Sequence, residues 1–109
     1  MRLLLDECVD EKFRHYFPGH DCQTARYAGF AGLENGDLLQ AAESAGFDVL
    51  LTLDKGITFQ QNLSGRKISL VVFYSTSNKL ANLLPLVPDC LAKLESVQPG
   101  QVVKIGEQS

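Results

Sequence analysis

Apolar and polar positions fall into blocks along this chain, and the period changes from block to block. "RLLL", residues 2–5, is a short apolar run that stops at Asp6 and Glu7. From Val9 to Phe17 the apolar positions 9, 13, 16 and 17 follow helical spacing, and Pro18-Gly19 ends that helix. Cys22–Tyr27 reads as a weak second strand. After the glycine-rich loop "GFAGLENG", Asp37–Ala45 is an alanine- and leucine-rich helix closed by Gly46. Phe47–Leu53 is a continuous apolar strand that ends at Asp54. A short helix or loop covers Ile57–Leu63, "SGRK" is a turn, and Ile68–Tyr74 is the most strand-like segment, solidly branched and aromatic. Residues 79–97 carry a helical stripe at 80, 83, 84, 87, 91 and 94. Pro85 and Pro88 interrupt it, which predicts a kinked helix or two short ones. Pro99-Gly100 then turns the chain into a last strand, "QVVKI".

Strands that alternate with helices, and that are apolar along their whole length, imply a parallel sheet covered on both faces. The expected fold is α/β: a three-layer α/β/α sandwich around a mostly parallel sheet of about five strands. At 109 residues the chain makes one domain, residues 1–109, with one core. Hydrophobic content of 45% and charged content of 21% are those of an ordinary globular protein. No apolar stretch approaches the roughly 20 residues of a membrane helix, so no membrane partner is expected. Charge close to the first apolar run argues against a secretory signal. Cys8, Cys22 and Cys90 are odd in number and widely spaced, which predicts buried free thiols in a reducing cytoplasm rather than a disulfide framework or zinc site.

Charge is distributed unevenly. Residues 1–54 hold ten acids and four bases, and residues 55–109 hold three acids and six bases. The net charge of −3 excludes a general nucleic-acid coat, which needs many Lys and Arg against phosphate. The asymmetry is what acids gathered in one place would produce, and also what chance produces in a short chain.

The strand ends give the acids a place to gather. Ligands of open parallel sheets bind outside the carboxyl ends of the strands. Asp6 and Glu7 follow the first strand, and Asp54 follows the Phe47–Leu53 strand. If these strands are neighbours, the carboxylates meet on one rim. Thr52, two residues before Asp54, points to the same side and offers a hydroxyl that can orient a carboxylate or bind water. Asp37 opens the middle helix beside that rim. Clustered carboxylates repel unless a cation sits among them, and hard divalent ions take such carboxylates together with water and phosphate oxygens. The functional reading is a metal-dependent, nuclease-like rim.

Each residue also has a local explanation. Asp54 before Lys55-Gly56 fits a turn, and Asp37 with Gln40 three later fits a helix N-cap. Glu7 fits a solvated helix start, with Asp10 and Glu11 as favourable first-turn charges. Glu34 fits a turn, and His15 and His20 fit the surface at the end of the first helix.

In order and spacing, "LLLDE", "NGDLLQAA" and "VLLTLDKG", with the tail from "QQNLSGRKISLVVF" to "QPGQVV", resemble the small bacterial PIN-like proteins related to VapC-type toxins. The resemblance covers nearly the whole chain. It implies a PIN-like fold, an acidic pocket for Mg²⁺ or Mn²⁺, and endoribonuclease activity on single-stranded RNA, with a small antitoxin protein as partner. A homodimer is a further expectation. Carried over, Asp6, Asp37 and Asp54 are the catalytic and metal-holding positions, Glu7 a further metal position, and Thr52 their support. Lys55, Arg66 and Lys79 are candidate phosphate contacts. Full PIN nucleases usually carry another acid after the last motif Asp, where this chain has Lys55, Gly56 and Ile57.

Two alternatives stay open. One is a receiver-like signalling domain with Asp54 as phospho-acceptor, Asp6 and Glu7 beside it, and Ser75, Thr76 or Ser77 supplying a hydroxyl. The usual Lys-Pro after a fifth strand is missing from it. The other is a PIN-like fold that binds without catalysis.

Overall fold

The computed structural model describes residues 1–57 and 62–107. Five strands form an all-parallel sheet: β1 (Arg2–Leu5), β2 (Asp21–Thr24), β3 (Val49–Thr52), β4 (Ser69–Phe73) and β5 (Val102–Ile105), in the spatial order β2-β1-β3-β4-β5. Apart from β1, the strands are shorter than the runs that predict them. Phe47 is buried ahead of β3, but its amide donates to Ala42 O at the end of the preceding helix, so ladder pairing begins only at Val49.

Alternation along the strands divides the core. Leu3, Leu5, Val49, Leu51, Val71, Phe73, Val103 and Ile105 face one side. Leu4, Leu50, Leu70 and Val72 face the other. The first face is covered by a 3-10 helix (Glu11–Tyr16) and by α2 (Leu80–Leu83) and α3 (Val87–Leu94), joined by a 3-10 turn at Leu84–Leu86. The second is covered by α1 (Asn35–Ser44) through Leu38, Leu39 and Ala42. This is the three-layer α/β arrangement implied by the unbroken apolar strands. Among the described residues, no helix is long and apolar enough to cross a membrane.

The segment expected as a helix over Val9–Phe17 is instead six residues of 3-10 helix. Asp10 starts it by accepting the Lys12 amide, and Phe13 anchors it edge-on to Phe17 and Phe73, with ring centroids 5.0 and 5.3 Å away. Such short connectors commonly adopt the tighter winding. The stripe over residues 79–97 breaks where expected, with Pro85 and Pro88 each at the start of a new helical piece.

Helix α1 ends in a Schellman closure. Gly46 donates to Glu43 O and Phe47 to Ala42 O, with Gly46 at φ +87°. Arg2 seals this end: one guanidinium nitrogen donates to Ala45 O at 2.6 Å, and its carbon lies 4.4 Å from the Phe47 ring centroid. Residues 58–61 of the expected Ile57–Leu63 element lie outside the described residues; Ile57 and Leu63 are both buried in the α1-side core.

Candidate functional site

The strand order reverses beside β1: the chain steps outward to β2, then returns to place β3 on the other side. Crevices open at the carboxyl ends of strands at such switch points. Here the register sets Leu5 against Leu51, so Asp6 comes level with Thr52. The Asp6 amide extends the ladder by donating to Leu51 O at 3.0 Å.

Thr52 is fully buried and ties the two strand ends together. Its hydroxyl donates to Asp6 Oδ2 at 2.7 Å and accepts the Asp54 amide at 3.0 Å. The other Asp6 oxygen accepts the Glu7 amide at 2.7 Å. Asp54 Oδ1 accepts the Gly56 amide at 2.9 Å, closing the turn after β3. Glu7 is held from across the rim, where its Oε1 accepts the Gly32 amide at 2.6 Å from the glycine-rich loop. Three carboxylates are therefore positioned by backbone amides and one hydroxyl.

Asp6, Glu7 and Asp54 line one open depression of about 530 Å³, together with Cys8, Gly32, Leu33, Glu34 and Leu38. Glu34 and Leu38 bring the start of α1 to its wall. Asp37 does not line it. The helix begins at Asn35, with Glu34 in the N-cap position, so Asp37 is an exposed first-turn residue. The N-cap reading of Asp37 is corrected for the same reason: its charge favours the helix dipole from inside the first turn. Glu34, expected as a turn residue, is the acid that α1 contributes to the depression.

The basic candidates separate. Lys55 follows β3 and Lys79 precedes α2, so both lie on the acid-bearing edge. Lys55 places its Nζ 4.8 Å from the Tyr74 ring centroid. Asn78, next to Lys79, donates to Cys8 O at 3.4 Å. Arg66 precedes β4 and therefore lies at the opposite, amino-end edge of a parallel sheet. There it pairs with Glu43 at 3.2 Å, and Glu43 also accepts the Lys67 amide. Arg66 is a structural cation, not a rim residue.

Cys8 corrects the expectation of buried thiols. Cys22 and Cys90 are buried, and desolvation pushes both up to about 12, but Cys8 is exposed. Its Sγ lies 3.5 Å from Asp6 Oδ2 and 3.7 Å from Thr52 Oγ1. Partial desolvation of the sulfur, reinforced by the Asp6 charge, raises its pKa. Cys8 and Glu34 were not expected at this site. Nor was Arg26, which lines an adjoining recess with Asp6, Glu7, Val9, Glu11 and Thr24. Reading the second strand as running to Tyr27 concealed Arg26 inside it; β2 ends at Thr24, so Arg26 stands in the loop at the acid edge.

Among the described residues, no three His, Cys, Asp or Glu side chains come close enough to form a preassembled ion cage. The carboxylates of Asp6, Asp54 and Glu7 are nevertheless hard oxygen donors sharing one open depression. That donor set fits Mg²⁺ or Mn²⁺, since Mg²⁺ is commonly held by one or two carboxylates and completed by water and substrate phosphate. Compared with protein-family models, with curated proteins and with solved structures, the chain matches none.

Proposed function

We propose that this chain is a PIN-like, metal-dependent endoribonuclease of toxin-antitoxin type, acting on single-stranded RNA in a reducing cytoplasm. The observation that carries the reading is the pairing of Asp6 and Asp54 across the β1/β3 switch point through Thr52, with Glu7 on the same depression. Asp6 and Asp54 would hold a Mg²⁺ or Mn²⁺ ion directly or through water, with Glu7 and Glu34 as nearby carboxylates. When bound, such an ion lowers the pKa of water and stabilises charge on a phosphodiester. The protein's own part is positional. Thr52 orients the Asp6 carboxylate, the Gly56 amide holds one Asp54 oxygen, and the Gly32 amide keeps Glu7 at the rim. Asp37 stands outside the depression and takes a lesser role. A small antitoxin would act by covering this rim.

RNA cleavage in Mn²⁺ tests the assignment. Asp6→Asn and Asp54→Asn should each lower the rate by on the order of 100-fold, the upper range even for residues that only support metal ligands. Cleavage that survives both substitutions rejects it.

The sheet order favours one second reading. The order β2-β1-β3-β4-β5 is that of flavodoxin-like and receiver folds, with acids at the same two strand ends. A phosphoryl group transferred from phosphoramidate to Asp54 would support a receiver-like domain. Fold analogy alone does not select it.

A further inference from the structure

Besides the acid depression, a second recess runs along the outer edge of the sheet. It has a volume of about 560 Å³ and is lined by all of β2, from Asp21 to Thr24, with Glu11 and Arg14 on one wall and Arg26 and Tyr27 at its end. It shares wall residues with a recess at the acid rim. Thr24 and Arg26 also line the small recess beside Asp6 and Glu7, and those two acids in turn line the depression that contains Asp54. A trough of adjoining recesses with shared walls therefore leads from Tyr27, past Arg26, to the acids.

Two of its residues are unusual. Tyr27 is 81% exposed, far more than any other exposed large hydrophobic residue among the described residues. Its backbone is nonetheless held, because its amide donates to Thr24 Oγ1 at 3.1 Å and the next amide, of Ala28, donates to Thr24 O at 3.0 Å. Arg26, in the same turn, has no ion-pair partner among the described residues. Uncovered aromatic faces beside arginine are what single-stranded nucleic acid binds, by stacking a base and contacting a phosphate. Arg26 also stands where a cation is needed, between the trough and carboxylates that repel a phosphate backbone. Glu11 and Asp21 offset Arg14 and Arg26 in charge. Attraction must therefore come from the ring face and from Arg26 rather than from a general positive field.

We propose that this trough is the subsite for the nucleotides flanking the scissile phosphate of a single-stranded RNA, with Tyr27 stacking on a base and Arg26 contacting the adjoining phosphate. The proposal rests on the ribonuclease reading and extends it to how the substrate is held.

The test is the fluorescence anisotropy of a labelled oligouridylate titrated with the full chain in EDTA, where cleavage makes no contribution. Tyr27→Ala should weaken binding roughly tenfold, the scale of one lost base stack. Tyr27→Phe should restore it, because the ring face is what binds. Arg26→Gln should weaken binding and flatten the slope of log affinity against log salt by about 0.7, the release from one single-strand phosphate. Melting temperatures should not change, since both side chains are exposed. Wild-type affinity and salt slope in Tyr27→Ala and Arg26→Gln overturn the subsite, as does a wild type that binds no oligouridylate. The two readings fail separately. Binding with these dependences but no cleavage in Mn²⁺ removes the nuclease and leaves the subsite. Cleavage together with unchanged binding in the variants removes the subsite and leaves the nuclease.

Discussion

Replacing Thr52 with valine removes one hydroxyl from the junction between β1 and β3 while keeping the side chain's size and branching. Two strong bonds disappear, the 2.7 Å donation to Asp6 Oδ2 and the 3.0 Å acceptance of the Asp54 amide, together with the weak 3.7 Å contact to Cys8 Sγ. A hydrogen bond to a charged group contributes about 1.5–3 kcal/mol, but Asp6 is only half-buried and water can replace part of that, leaving about 1 kcal/mol. The Asp54 amide, in a residue that is also half-buried, loses its acceptor, which costs about 1–3 kcal/mol. Together, Thr52→Val should destabilise the fold by about 2–4 kcal/mol. At about 4 °C per kcal/mol for a domain of this size, the melting temperature falls by about 8–16 °C. A domain of about 100 residues typically has 5–15 kcal/mol of stability, so most of the variant stays folded at room temperature. If Asp6 holds an ion, loss of its orienting partner should also lower Mn²⁺-dependent cleavage by about 10–100-fold. Thr52→Ser keeps the hydroxyl and should recover most of both effects. Calorimetry and an RNA cleavage assay read them independently. A valine variant melting within about 1 °C of wild type refutes the energetic argument, because a buried bond pair of this kind cannot be lost without a measurable shift.

Other expectations follow from features away from the rim. Gly46→Ala should cost about 1–2 kcal/mol in denaturant unfolding, because a φ of +87° disfavours any β-carbon and the added atom would meet Arg2 Nη1 at 3.0 Å. In native protein near neutral pH, a thiol reagent should modify Cys8, whereas Cys22 and Cys90, buried and pushed up to about 12, should react only after denaturation. Mass mapping of the adducts checks this, and early labelling of Cys22 or Cys90 contradicts the core assignment. The Lys67 amide, with Arg66 beside it, holds the Glu43 carboxyl below its usual range. A lowered folded-state pKa contributes stability above the unfolded value, and that stability is lost as pH falls through the folded one. Glu43→Gln should therefore flatten the acid limb of the melting-temperature profile below about pH 5 while leaving RNA cleavage intact.

Much of the architecture is local information. The apolar runs at residues 2–5, 47–53 and 68–74 read as strands covered on both faces, and the prolines at 85 and 88 as breaks in a helix. Asp6 and Asp54 were visible as acids closing two such runs, because where a strand stops depends on its own residues. Helix α1 was visible too, but not its first turn. Asp37 fits the cap by residue type and by Gln40 three later, whereas the chain enters the helix two residues earlier and leaves Asp37 outside the depression that Glu34 lines.

What local pattern could not supply is adjacency. Pairing of β1 with β3 is a long-range choice, and only that choice sets Asp6 opposite Thr52 and lets one hydroxyl serve both strand ends. The outer placement of β2 likewise joins its edge and the Arg26–Tyr27 turn to the acid rim, although nothing near those residues in sequence is acidic in the same way. Arg66 shows the reverse case, a basic residue in the basic half of the chain that the parallel sheet carries to the edge away from the acids. Hydrophobic periodicity is decided residue by residue along the chain, so it can be read from sequence. The neighbours of a strand are decided by how all the apolar faces are buried at once, so the meeting of Asp6, Thr52 and Asp54 belongs to the folded protein alone.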